Sequence, residues 1–121
     1  MNAYAAIKTA MARTGYPCVP HTYNGTASKY ITYNYADNRG ADFGDSLPGF
    51  DLASVQVHFF MPITDASGAK LNFITDVRTI RHLLFGHGFT YPEVVVNEET
   101  QTNKWHIVFE CEYEEEYEPQ A

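Results

Sequence analysis

The order of apolar patterns along the chain predicts an α+β domain. The expected architecture is an antiparallel four-stranded sheet in helix-strand-strand-helix-strand-strand order, with the helices packed on one face. Three observations predict it. In Lys104–Glu114 the odd positions Trp105, Ile107, Phe109, Cys111 and Tyr113 alternate with Lys104, His106, Val108, Glu110, Glu112 and Glu114. That period of two marks a strand with one face on a core and one in water. Phe73, Val77, Ile80 and Leu84 fall at i, i+4, i+7 and i+11, the apolar stripe of a helix. The connection Glu99–Asn103 between two strand patterns is short enough for an antiparallel hairpin.

The elements follow in order. Asn2 is a helix N-cap and Gly15 a stop, with Tyr4, Ile7 and Met11 at i, i+3 and i+7 between them. Five alanines (Ala3, Ala5, Ala6, Ala10 and Ala12) raise helix propensity there. The spacing predicts a helix over 2–14 whose light stripe needs a partner surface, from its own sheet or from a neighbouring subunit. Pro17 and Pro20 make the next stretch extended and turn-like, and Asn24-Gly25 is a turn signal. Lys29–Asp37 is the first strand, with Ile31, Tyr33 and Tyr35 on one face. Asp51–Met61 is the second, with Val55, Val57, Phe59 and Met61 opposite Ser54, Gln56, His58 and Phe60. Ala69–Phe85 is the stronger helix, and Gly86-His87-Gly88 ends it. Tyr91–Glu98 and Lys104–Glu114 complete the sheet.

A chain of 121 residues predicts a single domain, 1–121, with an acidic tail at about 114–121. Apolar residues make up 45% of it, so it can bury one core. A formal net charge of -7 argues against capture of nucleic acid by a basic surface. No apolar run approaches the length of a membrane span. The start Met1-Asn2-Ala3-Tyr4 lacks the pattern of a signal peptide. The two cysteines, Cys18 and Cys111, are therefore expected as reduced thiols, although a disulfide between them stays open on sequence.

Asn38–Phe50 is the longest irregular segment, rich in Gly and Asp. Loops of that length usually touch something or move, so Asp42, Phe43, Asp45, Leu47 and Phe50 are candidate contact residues. Tyr4 and Met11 on the light helix are the others. The spacing of a calcium loop is absent, and no metal or cofactor site is expected. Of the five histidines, His58 and His106 lie on the polar faces of two strands and would meet if those strands are neighbours. No further ligands at zinc spacing accompany them. Cys111 and His106 point to opposite faces and cannot form a nucleophile–base pair. Gly86-His87-Gly88 follows a helix, whereas anion loops lead into one. Glu110, Glu112, Glu114, Glu115, Glu116 and Glu118 are the strongest electrostatic feature. A solvated tail is the ordinary explanation; a surface that repels phosphate or docks a basic partner is the sharper one. Such a row does not supply a carboxylate in a cleft with a shifted pKa, so no catalytic residue is expected. Tyr30, Tyr33 and Tyr35 lie on both faces of one strand, which suggests that both faces are covered in an assembly.

Four segments taken together carry a resemblance: Tyr30–Asp37, Val55–Pro62, Ile80–Phe85 running on to Gly88–Pro92, and His106–Glu112. In order and spacing they resemble the tail terminator proteins of long-tailed bacteriophages, also called tail completion or tail-to-head joining proteins. The resemblance spans about residues 1–115 and contains no catalytic signature. It implies a structural virion protein: an α+β subunit forming a ring, usually a hexamer, at the tail-head junction. Such a ring caps the tail tube, ends its growth and docks the head connector, while double-stranded DNA passes through its lumen without specific binding. Assembly would take place in the host bacterial cytoplasm. The partners implied are further copies of the chain, the tail tube protein and the connector proteins, with no membrane and no cofactor. Glu110, Glu112, Glu114 and Glu116 are then candidates for an acidic lumen. Another neck or tail protein (head completion or stopper), a small ligand-binding or regulatory domain, and a small enzyme remain as alternatives.

Overall fold

A computed structural model describes residues 2–37 and 50–116, leaving the side chains of Asp37, Phe50 and Glu116 undescribed. The candidate contact residues Asp42, Phe43, Asp45 and Leu47, and Glu118 of the tail, lie outside it.

Helix α1 spans Ala3–Met11 and runs into a 3-10 turn at Ala12–Thr14. The Asn2 side chain accepts from the Ala5 amide, the expected cap. Gly15 ends the turn at φ 77°, a left-handed conformation that suits glycine. Strands follow at Cys18–Pro20 (β1), Tyr30–Asp37 (β2) and Phe50–Pro62 (β3). Helix α2 spans Ile74–Gly86, and Glu93–Glu99 (β4) and Lys104–Glu116 (β5) close the sheet.

The expected four-stranded, all-antiparallel sheet is not what forms. The sheet has five strands in the order β1-β2-β3-β5-β4 and is mixed. Cys18–Pro20 lies parallel to Ile31–Tyr33, while the other three pairings are antiparallel. The two prolines read as breakers, yet they fit an edge. The Pro17 carbonyl accepts from Ile31 N–H at 2.8 Å, and His21 N–H donates to the Tyr33 carbonyl at 3.0 Å. These bonds put the odd positions in the ladder and leave Pro20, with no N–H to offer, facing away from it.

A second correction concerns α2, which begins at Ile74 and not at Ala69. The Asn72 side chain takes the Ile74 amide at 2.8 Å, and Leu71 N–H donates to Ile63 O at 2.7 Å. Leu71 is thus tied to the residue that follows β3, while the Asn72 side chain takes up the first helical amide, so the helix starts at Ile74. Asp76 in that turn accepts from Tyr16 O–H at 2.6 Å and Lys29 Nζ at 3.0 Å, fastening α2 to the segments that follow α1 and precede β2. Gly88, at φ +98°, ends the helix, with Phe89 N–H donating to Leu84 O at 3.2 Å.

Both helices share one core with one face of the sheet, as expected. Ile31, Val57, Phe59, Ile107 and Phe109 are fully buried against Ala6, Ile7, Ala10, Met11, Ile80 and Leu84. Trp105 and Cys111 are buried and Tyr113 is half-buried, in line with the alternation of β5. β3 and β5 pair from Phe50↔Glu116 to Pro62↔Lys104 and form the spine of the sheet. The face away from the helices carries Tyr30, Asn34, Ser54, Gln56, His58, Phe60, His106, Glu110 and Glu112.

Candidate functional site

The helix-free face is where the candidate residues converge. Because β5 alternates, Glu110, Glu112 and Glu114 project from this face, with Glu110 and Glu114 exposed. Glu110 sits directly opposite Glu93 of β4, which is also exposed. Like charges placed directly across two strands are unfavourable. Ser54, Thr90, Tyr91, Glu93, Glu110 and Glu112 flank an open cleft of about 420 Å³ there. Its carboxylates would repel an anion and give no binding energy to phosphate.

The acidic run is not one surface. Glu115 has odd parity and turns to the helix side. Its Oε2 accepts from the Ala3 amide at 2.6 Å and from Tyr35 O–H at 2.8 Å. A carboxylate at a helix N-terminus satisfies an amide with no partner in the helix and complements the helix dipole. Burial, and then the bond to Glu115, hold the Tyr35 hydroxyl well above its usual range. Glu115 therefore staples the last strand to the first helix. Its odd position in the alternation of β5 was the signal for this. The backbone of Glu116 pairs with Phe50.

The two described contact candidates on α1 face inward. Met11 is fully buried in the chain's own core. Tyr4 is half-buried, stacked on Tyr35 at 4.6 Å between ring centroids and edge-on to Tyr33 at 4.8 Å. The light stripe of α1 finds its partner in its own sheet. An exposed apolar pair lies elsewhere: Phe85, at the end of α2, and Tyr91, 57% and 49% exposed. Their rings meet edge-on at 5.6 Å, and the Arg81 guanidinium lies 4.6 Å from the Tyr91 centroid.

β3 and β5 are neighbours, so His58 and His106 do meet, with His58 Nδ1 and His106 Nε2 2.8 Å apart. Their outer nitrogens contact Asn34 Oδ1 at 2.8 Å and Glu99 Oε2 at 2.9 Å. Asn34 comes from β2, far from either histidine in sequence, and Glu99 from β4, seven residues before His106 across the β4–β5 hairpin. Burial, and then the charge of His106, lower the pKa of His58. Among the described residues, no group of three or more His, Cys, Asp or Glu side chains is placed to hold a metal ion.

Cys18 and Cys111 are free thiols. Burial, and then the neighbouring Glu112 carboxylate, push Cys111 up to about 12. Burial pushes Cys18 up to about 11, against a smaller opposing effect of Lys8. Both are protonated at neutral pH and poor nucleophiles. Cys111 faces the core and His106 the open side, as the alternation requires.

Comparison with known protein families finds no family model that matches, and comparison with curated protein sequences finds no match.

Proposed function

We propose that the chain is a ring-forming tail terminator. It caps the tail tube of a long-tailed bacteriophage, ends tube growth and presents a docking face to the head connector. The observation that carries the proposal is the placement of Glu93, Glu110, Glu112 and Glu114 on the helix-free face, with Glu93 directly across from Glu110. Folding by itself disfavours that juxtaposition, whereas in a lumen that conducts DNA without holding it the same charges would repel phosphate. The likeness of the four segments to tail terminators points the same way.

A ring needs two different patches on each subunit. The stripe of α1 is used internally, so it does not supply one. Phe85 and Tyr91 with Arg81 supply an exposed aromatic and basic patch of the kind that interfaces favour. The partners under this proposal are further copies of the chain, the tail tube protein and the connector, with DNA as a passing occupant.

Native mass spectrometry and negative-stain imaging test it, on the protein alone and with purified tail tubes. Closed rings, free or at tube ends, are the expected result. A chain that stays monomeric and binds neither tubes nor connectors overturns the proposal. Changing Glu110, Glu112 and Glu114 together to Gln should leave rings intact while DNA is retained in them. Rings that retain no more DNA than the parent remove the lumen assignment.

A further inference from the structure

Five side chains form one hydrogen-bonded line across the helix-free face. It runs from Glu99 (β4) through His106 (β5), His58 (β3) and Asn34 (β2) to Gln56 (β3). The distances in that order are 2.9, 2.8, 2.8 and 3.3 Å. It spans four of the five strands.

The protons in this line can be counted. Asn34 Nδ2 donates to the Tyr35 carbonyl at 3.1 Å and to Gln56 Oε1 at 3.3 Å. Both its hydrogens are used, and turning the amide over would set its oxygen against the Tyr35 carbonyl. Asn34 Oδ1 therefore faces His58 and must accept. The Glu99 carboxylate at the other end also accepts. Each outer ring nitrogen must then carry a hydrogen, and the bond between the rings needs one N–H and one lone pair. Three hydrogens on four ring nitrogens mean one neutral imidazole and one imidazolium. The single positive charge belongs beside Glu99, on His106, with His58 neutral. The lowered pKa of His58 agrees with that assignment.

Polar and charged groups face the pair from four strands. From β2 the pair faces Tyr30 as well as Asn34. From β3 it faces the uncharged Gln56 and Phe60. From β5 it faces Lys104 and Glu110, and from β4 Asn97, Glu99 and, beside Glu110, Glu93. Lys104 is engaged by Tyr30, donating to its hydroxyl at 2.9 Å. The His106 ring stacks on Phe60 at 4.3 Å, Phe60 on Tyr30 at 4.8 Å, and Tyr30 on Tyr23 at 4.5 Å. His106 thus begins a stack of rings that runs through Phe60 and Tyr30 to Tyr23.

We propose that His58 and His106 are a one-proton latch on the helix-free face: with one shared proton they hold β2, β3, β5 and β4 together side chain to side chain, and a second proton opens the latch. The second proton leaves no lone pair for the bond between the rings. It also sets two imidazolium ions against each other at hydrogen-bond distance. One ring must rotate away, releasing the Asn34 or Glu99 contact, and the face gains a positive charge. The backbone ladder stays intact, so the change is confined to this surface. The latch does not depend on the proposed role in a phage tail.

Nitrogen-15 NMR of the imidazole rings over pH 4–8 tests it. Near neutral pH, three of the four ring nitrogens of His58 and His106 should carry hydrogen, and the pair should titrate in two separated steps. Glu99→Gln keeps an acceptor and removes the countercharge. It should lower the share of the protein in which the pair carries three ring hydrogens near neutral pH, read from the same nitrogen-15 shifts. His106→Gln should collapse the two steps into one. Folding of both variants is checked by circular dichroism, and the parent protein alone decides the proton count. Two neutral rings near neutral pH, or two titrations that are independent of each other, overturn the proposal. An unchanged ring-hydrogen count in folded Glu99→Gln does so too.

Discussion

Replacing Glu115 by alanine should destabilise this protein more than removing any other carboxylate of the acidic run. The Glu115 carboxylate accepts from Ala3 N–H at 2.6 Å and Tyr35 O–H at 2.8 Å. Ala3 is fully buried, so water cannot readily replace the lost acceptor. A hydrogen bond to a charged group contributes about 1.5–3 kcal/mol, and losing a helix cap costs about 0.5–2 kcal/mol. The two figures overlap, because the bond to Ala3 is the cap. Tyr35 is half-buried and can turn its hydroxyl to water, which lowers its share. A net loss of about 2–3 kcal/mol is expected for Glu115→Ala, seen in urea unfolding as a lower midpoint at unchanged slope. In thermal unfolding that is a drop of about 8–12 °C. Glu115→Gln keeps an acceptor but loses the charge at the helix N-terminus, and should cost about 1 kcal/mol. Glu112→Gln and Glu114→Gln should stay within about 0.5 kcal/mol of the parent. All variants are compared at one protein concentration, because self-association would add to apparent stability. A Glu115→Ala protein within about 0.5 kcal/mol of the parent would refute the staple. So would Glu114→Gln costing as much as Glu115→Ala.

Three further outcomes follow from the same coordinates. Gly88→Ala should cost about 1–2 kcal/mol in urea unfolding, because φ is +98° and the new Cβ would meet Tyr113 Cε1 at 3.2 Å. Cys18 and Cys111 should react slowly with a thiol reagent in the native protein, and both should be titrated at once in denaturant; fast native labelling of Cys111 would contradict its burial. His58 has a pKa lowered from the ordinary 6.5 by burial and by His106, so the unfolded chain binds its proton more readily than the folded one. Its contribution is complete above about 6.5 and is lost as the pH falls below that, and His58→Gln should flatten the stability profile in that range.

The tertiary structure also separates residues that sequence places together. Glu114 and Glu115 are neighbours of the same type, yet one is exposed and the other holds a helix end. Parity along β5 carried that distinction, because neighbouring strand residues face opposite sides. Tyr4 and Met11 read as a light stripe in need of a partner, and the partner is the molecule's own sheet. The loop candidates Asp42, Phe43, Asp45 and Leu47 lie outside the described residues.

Local periodicity by itself determined the two-sided character of β2, β3 and β5, the core from Trp105 to Cys111, the caps at Asn2, Gly15 and Gly88, and the α+β class. Each depends on residues within a turn or two of one another, where spacing dictates facing. Only the tertiary structure decided the fifth strand and its parallel pairing, because three residues beside prolines become a strand only when Ile31–Tyr33 offers them a ladder. It likewise decided where α2 begins, through Asn72 and the tie from Leu71 to Ile63. It brought Glu99 and Asn34 to the histidine pair, and Glu115 to Ala3 across the length of the chain. The contacts of Asn34 with His58 and of Glu115 with Ala3 join residues far apart in sequence, and pairing order, which no local pattern encodes, sets which of them meet.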